Sequence, residues 1–324
     1  MKIAMIGSGA AGSVFASYLR RGGADITLVD PYQEHMDKIA EKGLTFVVNA
    51  VDGEETYQLE GFKTAYTADD IGVMDAVIFM TKTMQLGAAL KGAAPCIGEK
   101  TVLVSLMNGL GNEDKLVDAV GAGRVLYGNG VLGTQLPEPG KCISSPSKEG
   151  LQMNFGAVER SELNVPVGEE LERLFNAGGC PCKFWEDVAP HFWQKVITNC
   201  TFNPLSAILR MKCKDIFKDM NGAGLATAVV KECCAVATAR GCEMESAKFF
   251  AELVKSVAGG SIEDYYPSMA QDVLIFQRPT EIDTLNGAIV KYGMKYGIPT
   301  PCNEYITKTI KCIQKNYDKQ YKES

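Results

Sequence analysis

The chain has little of what marks a metal protein or a disulfide-bonded secreted one. It contains only two histidines, and its eleven cysteines are odd in number and dispersed along 324 residues. Neither Cys180–Cys182 nor Cys233–Cys234 has the two-residue spacing expected of a zinc or redox site. We therefore expect reduced, mostly buried thiols and no bound metal ion.

The chain also lacks an excess of positive charge and a long hydrophobic run. Lys and Arg number 33 against 39 Asp and Glu, which gives a net charge of −6 and a pI near 5.2. This balance argues against nucleic acid and anionic membranes as partners. No run approaches the ~20 apolar residues of a membrane span, and Met1 leads into a strand-like segment rather than a secretion signal. We expect a cytoplasmic protein without a membrane anchor.

The first thirty residues combine a strand, a glycine-rich turn, a helix and a second strand that ends in Asp30. The turn, called the glycine turn below, consists of Gly7, Ser8, Gly9, Ala10, Ala11 and Gly12. Its glycines permit a tight bend, close approach of a pyrophosphate and packing of helix on strand, and the helix N-terminus attracts phosphate. A carboxylate at Asp30 can accept both hydroxyls of an adenosine ribose. These residues predict a dinucleotide-binding site.

Strand-like and helix-like segments alternate through the first half of the chain. Nearly continuous apolar runs at Asp75–Met80 and Thr101–Leu106 resemble fully buried parallel strands. Such alternation predicts an α/β domain with a doubly wound, Rossmann-like parallel sheet and helices on both faces. Shorter strands up to Glu159 predict a small antiparallel addition.

Long helical segments replace this alternation beyond Asp187, including Pro190–Leu209 and Thr280–Tyr296. A chain of this length favours two domains. We predict a dinucleotide-binding domain at residues 1–187 and a mostly α-helical substrate and catalytic domain at residues 188–324.

The predicted helix Pro190–Leu209 carries polar residues at a spacing of four. Lys195, Asn199 and Asn203, called the polar stripe below, share one face. Pro204 follows, where a proline is expected to kink or end the helix. An ordinary solvated face would have the same spacing, but asparagine is a mediocre helix former. Two asparagines in register therefore favour another use for their amides.

Two further segments place polar residues next to the ends of predicted elements. Ser105–Gly111 follows a strand, at the edge where open α/β sheets bind ligands, although its Asn108–Gly109 pair would also suit a simple turn. Thr280 is expected to cap a helix that has Glu281 and Asp283 in its first turn. By themselves these patterns indicate a loop and a helix start.

With these motifs, the chain resembles the ketopantoate reductase (2-dehydropantoate 2-reductase) family over essentially its whole length. Besides the glycine turn and the polar stripe, the matching motifs are Thr81–Lys82, Asn108–Gly109, Trp193–Gln194, Asn203–Pro204–Leu205, Ser268–Met269, Gln271–Asp272, Thr280–Glu281–Ile282–Asp283 and Asn286–Gly287. The polar stripe and the Thr-Glu-Ile-Asp stretch, when they occur in one chain, are specific to this family. The glycine motif alone is shared by many dehydrogenases. The resemblance implies nicotinamide-dependent reduction of a 2-keto acid, with 2-dehydropantoate, in pantothenate biosynthesis, as the first candidate.

The resemblance also implies roles for individual residues. Lys195 would be the general acid, and Glu281 would orient substrate and lysine. The residues implied to hold the substrate's polar groups are Asn108, Asn199, Asn203 and Ser268. Those implied to contact the NAD(P)H cofactor, besides the glycine turn and Asp30, are Lys82 and Asn108. Reduction leaves negative charge on the keto oxygen, and a lysine whose pKa is lowered by burial can stabilise and protonate it.

Asp30 departs from the family pattern. Members that prefer NADPH usually carry a basic residue just after the second strand, whereas this chain has Asp30–Pro31–Tyr32. A carboxylate about 4 Å from a 2′-phosphate is opposed by roughly 4 kcal/mol at an effective dielectric constant near 20. We therefore expect NADH to be preferred over the family's usual NADPH, unless Lys82 reaches the phosphate or Asp30 turns away.

The same departure leaves two alternatives open. An NAD-dependent D-2-hydroxyacid dehydrogenase for branched or aromatic 2-keto acids would use the same acid at the ribose, with the asparagines on the substrate carboxylate. A non-catalytic dinucleotide sensor would keep the glycine turn, although intact Lys195 and Glu281 argue against it. The expected partner is a small 2-keto acid, and a largely apolar helical second domain is compatible with a homodimer.

Overall fold

The computed structural model describes residues 1–50, 53–146, 150–258 and 266–320. Backbone contacts divide the chain into two units. The first unit comprises Met1–Met107 and Asn112–Val188, and the second comprises Asn108–Gly111 and the chain from Ala189 onward. A short loop from the first half of the chain thus contributes residues to the second unit.

The first unit is built on strands whose apolar residues run almost continuously. In chain order the strands are β1 (Lys2–Ile6), β2 (Asp25–Val29), β3 (Leu44–Ala50), β4 (Gly53–Leu59), β5 (Lys63–Ala65), β6 (Ala76–Phe79), β7 (Val102–Ser105), β8 (Val125–Gly130), β9 (Gly133–Glu138), β10 (Lys141–Ser145), β11 (Met153–Ala157) and β12 (Cys182–Trp185). The main sheet has the order β12-β11-β8-β7-β6-β1-β2-β5, and its neighbouring strands are parallel except for β8 and β11. The strand order proceeds outward in both directions from β1 and β6, so the predicted doubly wound, Rossmann-like class is confirmed.

A second sheet has the order β4-β3-β10-β9. Strands β3 and β4 form an antiparallel hairpin, and β10 pairs parallel to β3 and antiparallel to β9. The antiparallel addition predicted near the end of the first domain is therefore split. Strand β11 joins the main sheet, whereas β9 and β10 pair with strands from much earlier in the chain, which local spacing does not reveal.

Helices cover both faces of the main sheet and make up most of the second unit. They are α1 (Ala10–Arg21), α2 (Gln33–Lys42), α3 (Leu86–Gly92), α4 (Asn112–Val120), α5 (Asn164–Ala177), α6 (Ala189–Leu209), α7 (Cys213–Lys218), α8 (Met220–Ala239), α9 (Ser246–Ala258), α10 (Ser268–Gln271), α11 (Asn286–Tyr296) and α12 (Pro301–Gln314). Along β6, Ile78 belongs to one buried cluster with Phe15 of α1, and Phe79 belongs to another with Leu86 of α3. Alternate side chains of one strand thus supply two cores.

Helix α8 is long and apolar enough to cross a membrane by length and composition alone, with a mean hydropathy of 1.3. The expectation of no run of this kind was therefore wrong by that criterion. Within the second unit, however, α8 packs against α6 and α11, and its Glu232 binds the first N–H groups of α12. One face of α8, which includes Val229, Val230 and Val236, is buried in the second unit, whereas Met220 and Leu225 are exposed.

The helix predicted to begin at Thr280 begins instead at Asn286, after a single 3₁₀ turn at Ile282–Thr284. Leu285, with φ −103° and ψ −101°, lies outside the helical region and separates the two. The Thr280 hydroxyl donates to the Gln314 side chain at 2.8 Å. The same hydroxyl accepts the Ile282 N–H of the 3₁₀ turn at 3.4 Å, so Thr280 joins this turn to α12 instead of starting an α-helix.

Candidate active site

The glycine turn joins β1 to α1 and has one crowded side and one open side. A Cβ on Gly12 would lie 1.9 Å from the Gly7 carbonyl oxygen, so only glycine lets α1 pack this closely. A Cβ on Gly9 would meet nothing within 4 Å. No side chain caps α1, which leaves its first N–H groups to a phosphate. These features fit the pyrophosphate of a dinucleotide.

Asp30 lies directly after β2 and binds the glycine turn. Its carboxylate accepts the Ser8 N–H at 2.7 Å and the Tyr32 N–H at 2.9 Å. Each oxygen therefore has one protein partner and keeps a further lone pair. The half-buried carboxylate is thus held in place and can still accept a hydroxyl.

A buried histidine that the sequence reasoning did not assign to the site supports the same turn. His35 Nδ1 accepts the Gly140 N–H at 2.8 Å, so its Nε2 carries the hydrogen and donates to Ser13 Oγ at 3.0 Å. The Ser13 hydroxyl donates in turn to the Ser8 carbonyl at 2.7 Å. Burial lowers the pKa of His35, and the negative charge of Asp30 partly offsets this. The only sequence signal was its place on the apolar face of α2.

The other first-half residues predicted for the site follow strands β6 and β7. Lys82 is exposed, and Asn108 is half-buried in the segment that belongs to the second unit. In that segment the Leu110 N–H donates to the Thr284 carbonyl at 2.9 Å. Gly109 has φ +92°, and a Cβ there would lie 2.7 Å from the same carbonyl oxygen. Glycine therefore allows the Asn108 loop to approach the turn that follows Glu281.

The polar stripe lies on α6, as the spacing of four predicted. Lys195 and Asn199 are half-buried, Asn203 is buried, and the neighbouring Val196 and Ile197 face the core. Within the described part of the chain, neither asparagine side chain of the stripe is used in a hydrogen bond. The helix continues through Pro204 to Leu209 rather than ending there. The two amides remain able to bind a ligand.

Burial lowers the pKa of the Lys195 ammonium to about 8, and the negative charge of Glu281 acts in the opposite direction. The low-polarity surroundings disfavour the charged form, while a carboxylate favours it. A pKa near 8 suits proton donation close to neutral pH. Burial therefore outweighs the negative charge of Glu281 in setting the pKa of Lys195.

Glu281 and Ser268 complete the predicted set in the second unit. Glu281 is half-buried, and its carbonyl accepts the Thr284 N–H and hydroxyl at 3.1 Å each. Ser268 is exposed at the first residue of α10, which packs against α6. The second unit thus contains all the residues implied to act on substrate: Asn108, Lys195, Asn199, Asn203, Ser268 and Glu281.

No group of three or more His, Cys, Asp or Glu side chains is placed to hold a metal ion within the residues described. The eleven cysteines are free, and nine of them are buried. Burial raises the pKa of several of these thiols, for example to about 12 for Cys142. Such thiols are poor nucleophiles.

Two parts of the chain match one known family. Residues 3–159 match the family described as ketopantoate reductase PanE/ApbA, and residues 187–314 match its C-terminal part. The 2-dehydropantoate 2-reductase of Lactococcus lactis subsp. lactis (strain IL1403) is 30% identical over 313 residues, which cover 96% of this chain and 97% of that protein. The chain belongs to the ketopantoate reductase family. The resemblance inferred from the motifs is therefore confirmed.

A more distant relative and two solved structures are also similar to this chain. The 2-dehydropantoate 2-reductase of Aquifex aeolicus (strain VF5) is 29% identical, with 96% of each chain covered. The solved structure of the enzyme from Geobacter metallireducens GS-15 has a TM-score of 0.82 and 27% identity, covering 96% of this chain and 99% of that one. The ternary structure of D-mandelate dehydrogenase with NADH and anilino(oxo)acetate has a TM-score of 0.83 and 27% identity, covering 98% and 100%.

The ketopantoate reductase family consists of oxidoreductases that reduce 2-keto acids with NAD(P)H. The predicted enzyme class and cofactor class are confirmed at this level. The roles of individual residues, the choice of 2-keto acid and the choice between NADH and NADPH stay predictions.

Proposed function

We propose that this chain reduces 2-dehydropantoate to pantoate and that it prefers NADH. The near full-length similarity to 2-dehydropantoate 2-reductases supports the reaction. The single observation that carries the proposal is the polar stripe, where a half-buried lysine with a lowered pKa lies in register with two asparagines. We further propose that residues 1–187 bind the dinucleotide and that residues 188–324 bind substrate and carry the catalytic lysine.

Lys195 is the proposed general acid. When bound, the nicotinamide supplies the hydride that adds to the keto carbon. Negative charge then develops on the keto oxygen, and the Lys195 ammonium stabilises this charge and donates a proton to the oxygen. Glu281 favours the protonated form of Lys195 through its negative charge. It thereby keeps enough of the acid form present near neutral pH.

Uncharged groups would bind the rest of the substrate. Asn108, Asn199, Asn203 and Ser268 can donate hydrogen bonds to a carboxylate or bind a hydroxyl. A polar group left unpaired in a partly desolvated site costs about 1–3 kcal/mol. An analogue that lacks the matching hydroxyl is therefore expected to bind and react less well.

The glycine turn, Lys82, Asn108 and Asp30 are the proposed cofactor residues. Asp30 supports NADH because its carboxylate is already anchored by the Ser8 and Tyr32 N–H groups and would face a 2′-phosphate with like charge. Asp30→Ser should lower the ratio of kcat/KM for NADH over NADPH about tenfold or more. Asp37→Ser removes an exposed acid from α2 as a control and should leave the ratio unchanged.

A second candidate function has specific support. An NAD-dependent D-2-hydroxyacid dehydrogenase would use the same lysine on a branched or aromatic 2-keto acid. The similarity to D-mandelate dehydrogenase, whose structures contain NADH, and the acid at position 30 both favour it. The polar stripe suits either substrate, because its amides can bind a hydroxyl or a carboxylate.

A panel of 2-keto acids assayed with NADH and with NADPH tests these proposals together. The highest kcat/KM with 2-dehydropantoate and NADH would support the first function, and a higher value with a branched or aromatic acid would support the second. A strong preference for NADPH would contradict the role of Asp30. Cofactor binding without turnover of any 2-keto acid would instead favour a non-catalytic dinucleotide sensor.

The cellular setting is part of the proposal. The net charge of −6 supports a small-molecule partner rather than nucleic acid or an anionic membrane. A soluble biosynthetic reaction suits the cytoplasm. A homodimer is the proposed assembly, and light scattering of the purified protein would test it.

A further inference from the structure

Pro204 leaves one carbonyl of α6 without its helical donor. In an α-helix the N–H of residue 204 would donate to the carbonyl of residue 200, but proline has no N–H. Cys200 is completely buried, so water is not a ready substitute. The Cys200 carbonyl therefore needs a donor from another part of the chain.

Asn286, the first residue of α11, supplies that donor. Its Nδ2 donates to the Cys200 carbonyl at 2.9 Å and to Asn303 Oδ1 at 2.9 Å, and the side chain is completely buried. Its Oδ1 has no hydrogen-bond partner among the described residues. The amide is thus held through its two N–H groups alone, and one of them replaces the bond that Pro204 removes.

Two further residues hold Asn286 in this orientation. Asn303 is also completely buried and donates through Nδ2 to Glu232 Oε2 at 2.7 Å. The Glu232 carboxylate also accepts the N–H groups of Cys302 and Asn303, at 2.8 Å and 2.9 Å. Because these are the first free N–H groups of α12, the helix dipole favours the carboxylate there. A chain of hydrogen bonds therefore extends from α8 through α12 and α11 to α6.

We propose that Asn286 is a positioning residue for the polar stripe: by replacing the N–H that Pro204 lacks, it holds the turn of α6 from Cys200 to Pro204, where the helical hydrogen bond is missing. Lys195 and Asn199 precede this turn, and Asn203 lies within it. The distance between the ammonium of Lys195 and the side-chain amide of Asn203 therefore depends on the geometry of this turn. This inference rests on the proposed function only in taking the stripe as the catalytic surface.

Substitution of Asn286 and Pro204, singly and together, tests the inference. Asn286→Ala should lower kcat/KM for the 2-keto acid about 10–100-fold, because a misplacement of about 1 Å costs on that order. The Kd of NADH should change less than about twofold. In the double variant, Pro204→Ala restores an N–H that can donate to Cys200, and we expect kcat/KM to recover about fivefold or more.

Asn164→Ala is the matched control. Asn164 is equally buried, and its side chain accepts the Ser161 N–H and donates to the Glu159 carbonyl, both in the first unit. Its loss should lower the thermal midpoint without relief by Pro204→Ala. If Pro204→Ala raises the thermal midpoint of Asn286→Ala but not that of Asn164→Ala, the role of Asn286 is to position α6 and not only to fill the core.

The thermal midpoints of the wild type, the two single variants and the double variant test the inference without an activity assay. If the protein reduces no 2-keto acid, the proposed function fails, but Pro204→Ala should still raise the midpoint of Asn286→Ala. This reading also serves if Asn286→Ala accumulates poorly. The inference is overturned if Pro204→Ala raises neither kcat/KM nor the midpoint of Asn286→Ala, or if the single variant weakens NADH binding as much as it lowers kcat/KM.

Discussion

Replacing Lys195 by methionine should stop catalysis and at the same time stabilise the protein. Methionine keeps the unbranched apolar part of the side chain and removes the charge. Burial lowers the pKa of Lys195 from 10.5 to about 8, so the folded state disfavours the charged ammonium. The wild-type protein therefore loses folding stability to this charge at neutral pH.

The size and sign of this effect follow from the shift in pKa. The folded state binds fewer protons than the unfolded state between pH 8 and pH 10.5, so the unfolding free energy rises with pH through that window. At pH 7 the full cost is about 3 kcal/mol, since each pKa unit is worth about 1.4 kcal/mol. Screening at a half-buried site reduces this to about 1–3 kcal/mol. At pH 10 less than about 1 kcal/mol remains.

Thermal and denaturant unfolding at pH 7 and pH 10 measure the effect. At pH 7, Lys195→Met should raise the midpoint by several degrees, at about 2–4 °C per kcal/mol for a domain of this size. The gain should shrink at pH 10, while reduction of 2-keto acid is lost at both values. The exposed Lys248 of α9 provides a control, and Lys248→Met should change stability by less than about 0.5 kcal/mol. An unchanged or lower midpoint for Lys195→Met at pH 7 would refute the reasoning that burial sets this pKa.

Three further outcomes are expected. Glu281→Gln should move the alkaline decline of kcat/KM to lower pH, because the charge of Glu281 raises the pKa of Lys195. Asp283→Asn removes an exposed acid of the same turn and should leave the pH of this decline unchanged. The thermal midpoint should fall as the pH drops below about 6.5. Burial lowers the pKa of His35, and protonation of its Nδ1 breaks the hydrogen bond from the Gly140 N–H. The same fall with pH in His35→Gln would contradict this reasoning. Gly12→Ala should lower the midpoint because the new Cβ would lie 1.9 Å from a carbonyl oxygen, and circular dichroism melts would detect it.

Local patterns predicted much of the fold and much of the candidate site. The glycine turn, the buried strands and the register of Lys195 with Asn199 and Asn203 depend on periodicity and spacing within short segments. Such features follow from backbone geometry alone. They were therefore readable before any tertiary contact was known.

Other features depended on partners far apart in the chain. The pairing of β10 with β3 joins segments that no local pattern connects. The start of α11 was misplaced because Thr280 joins a 3₁₀ turn to Gln314 of α12 instead of starting an α-helix. The part played by His35 was missed, since its partners Ser13 and Gly140 lie on either side of it in sequence. Each case is a choice between competing partners, which tertiary packing settles.

The amino-acid sequence by itself determined the fold class, the family and the residues from which the candidate site is built, because these are properties of residue type and short-range spacing. Only the tertiary structure decided how acidic Lys195 is and what replaces the missing N–H of Pro204. The first depends on how much water the folded chain removes from an ammonium group. The second depends on Asn286, which lies 86 residues from the carbonyl it binds.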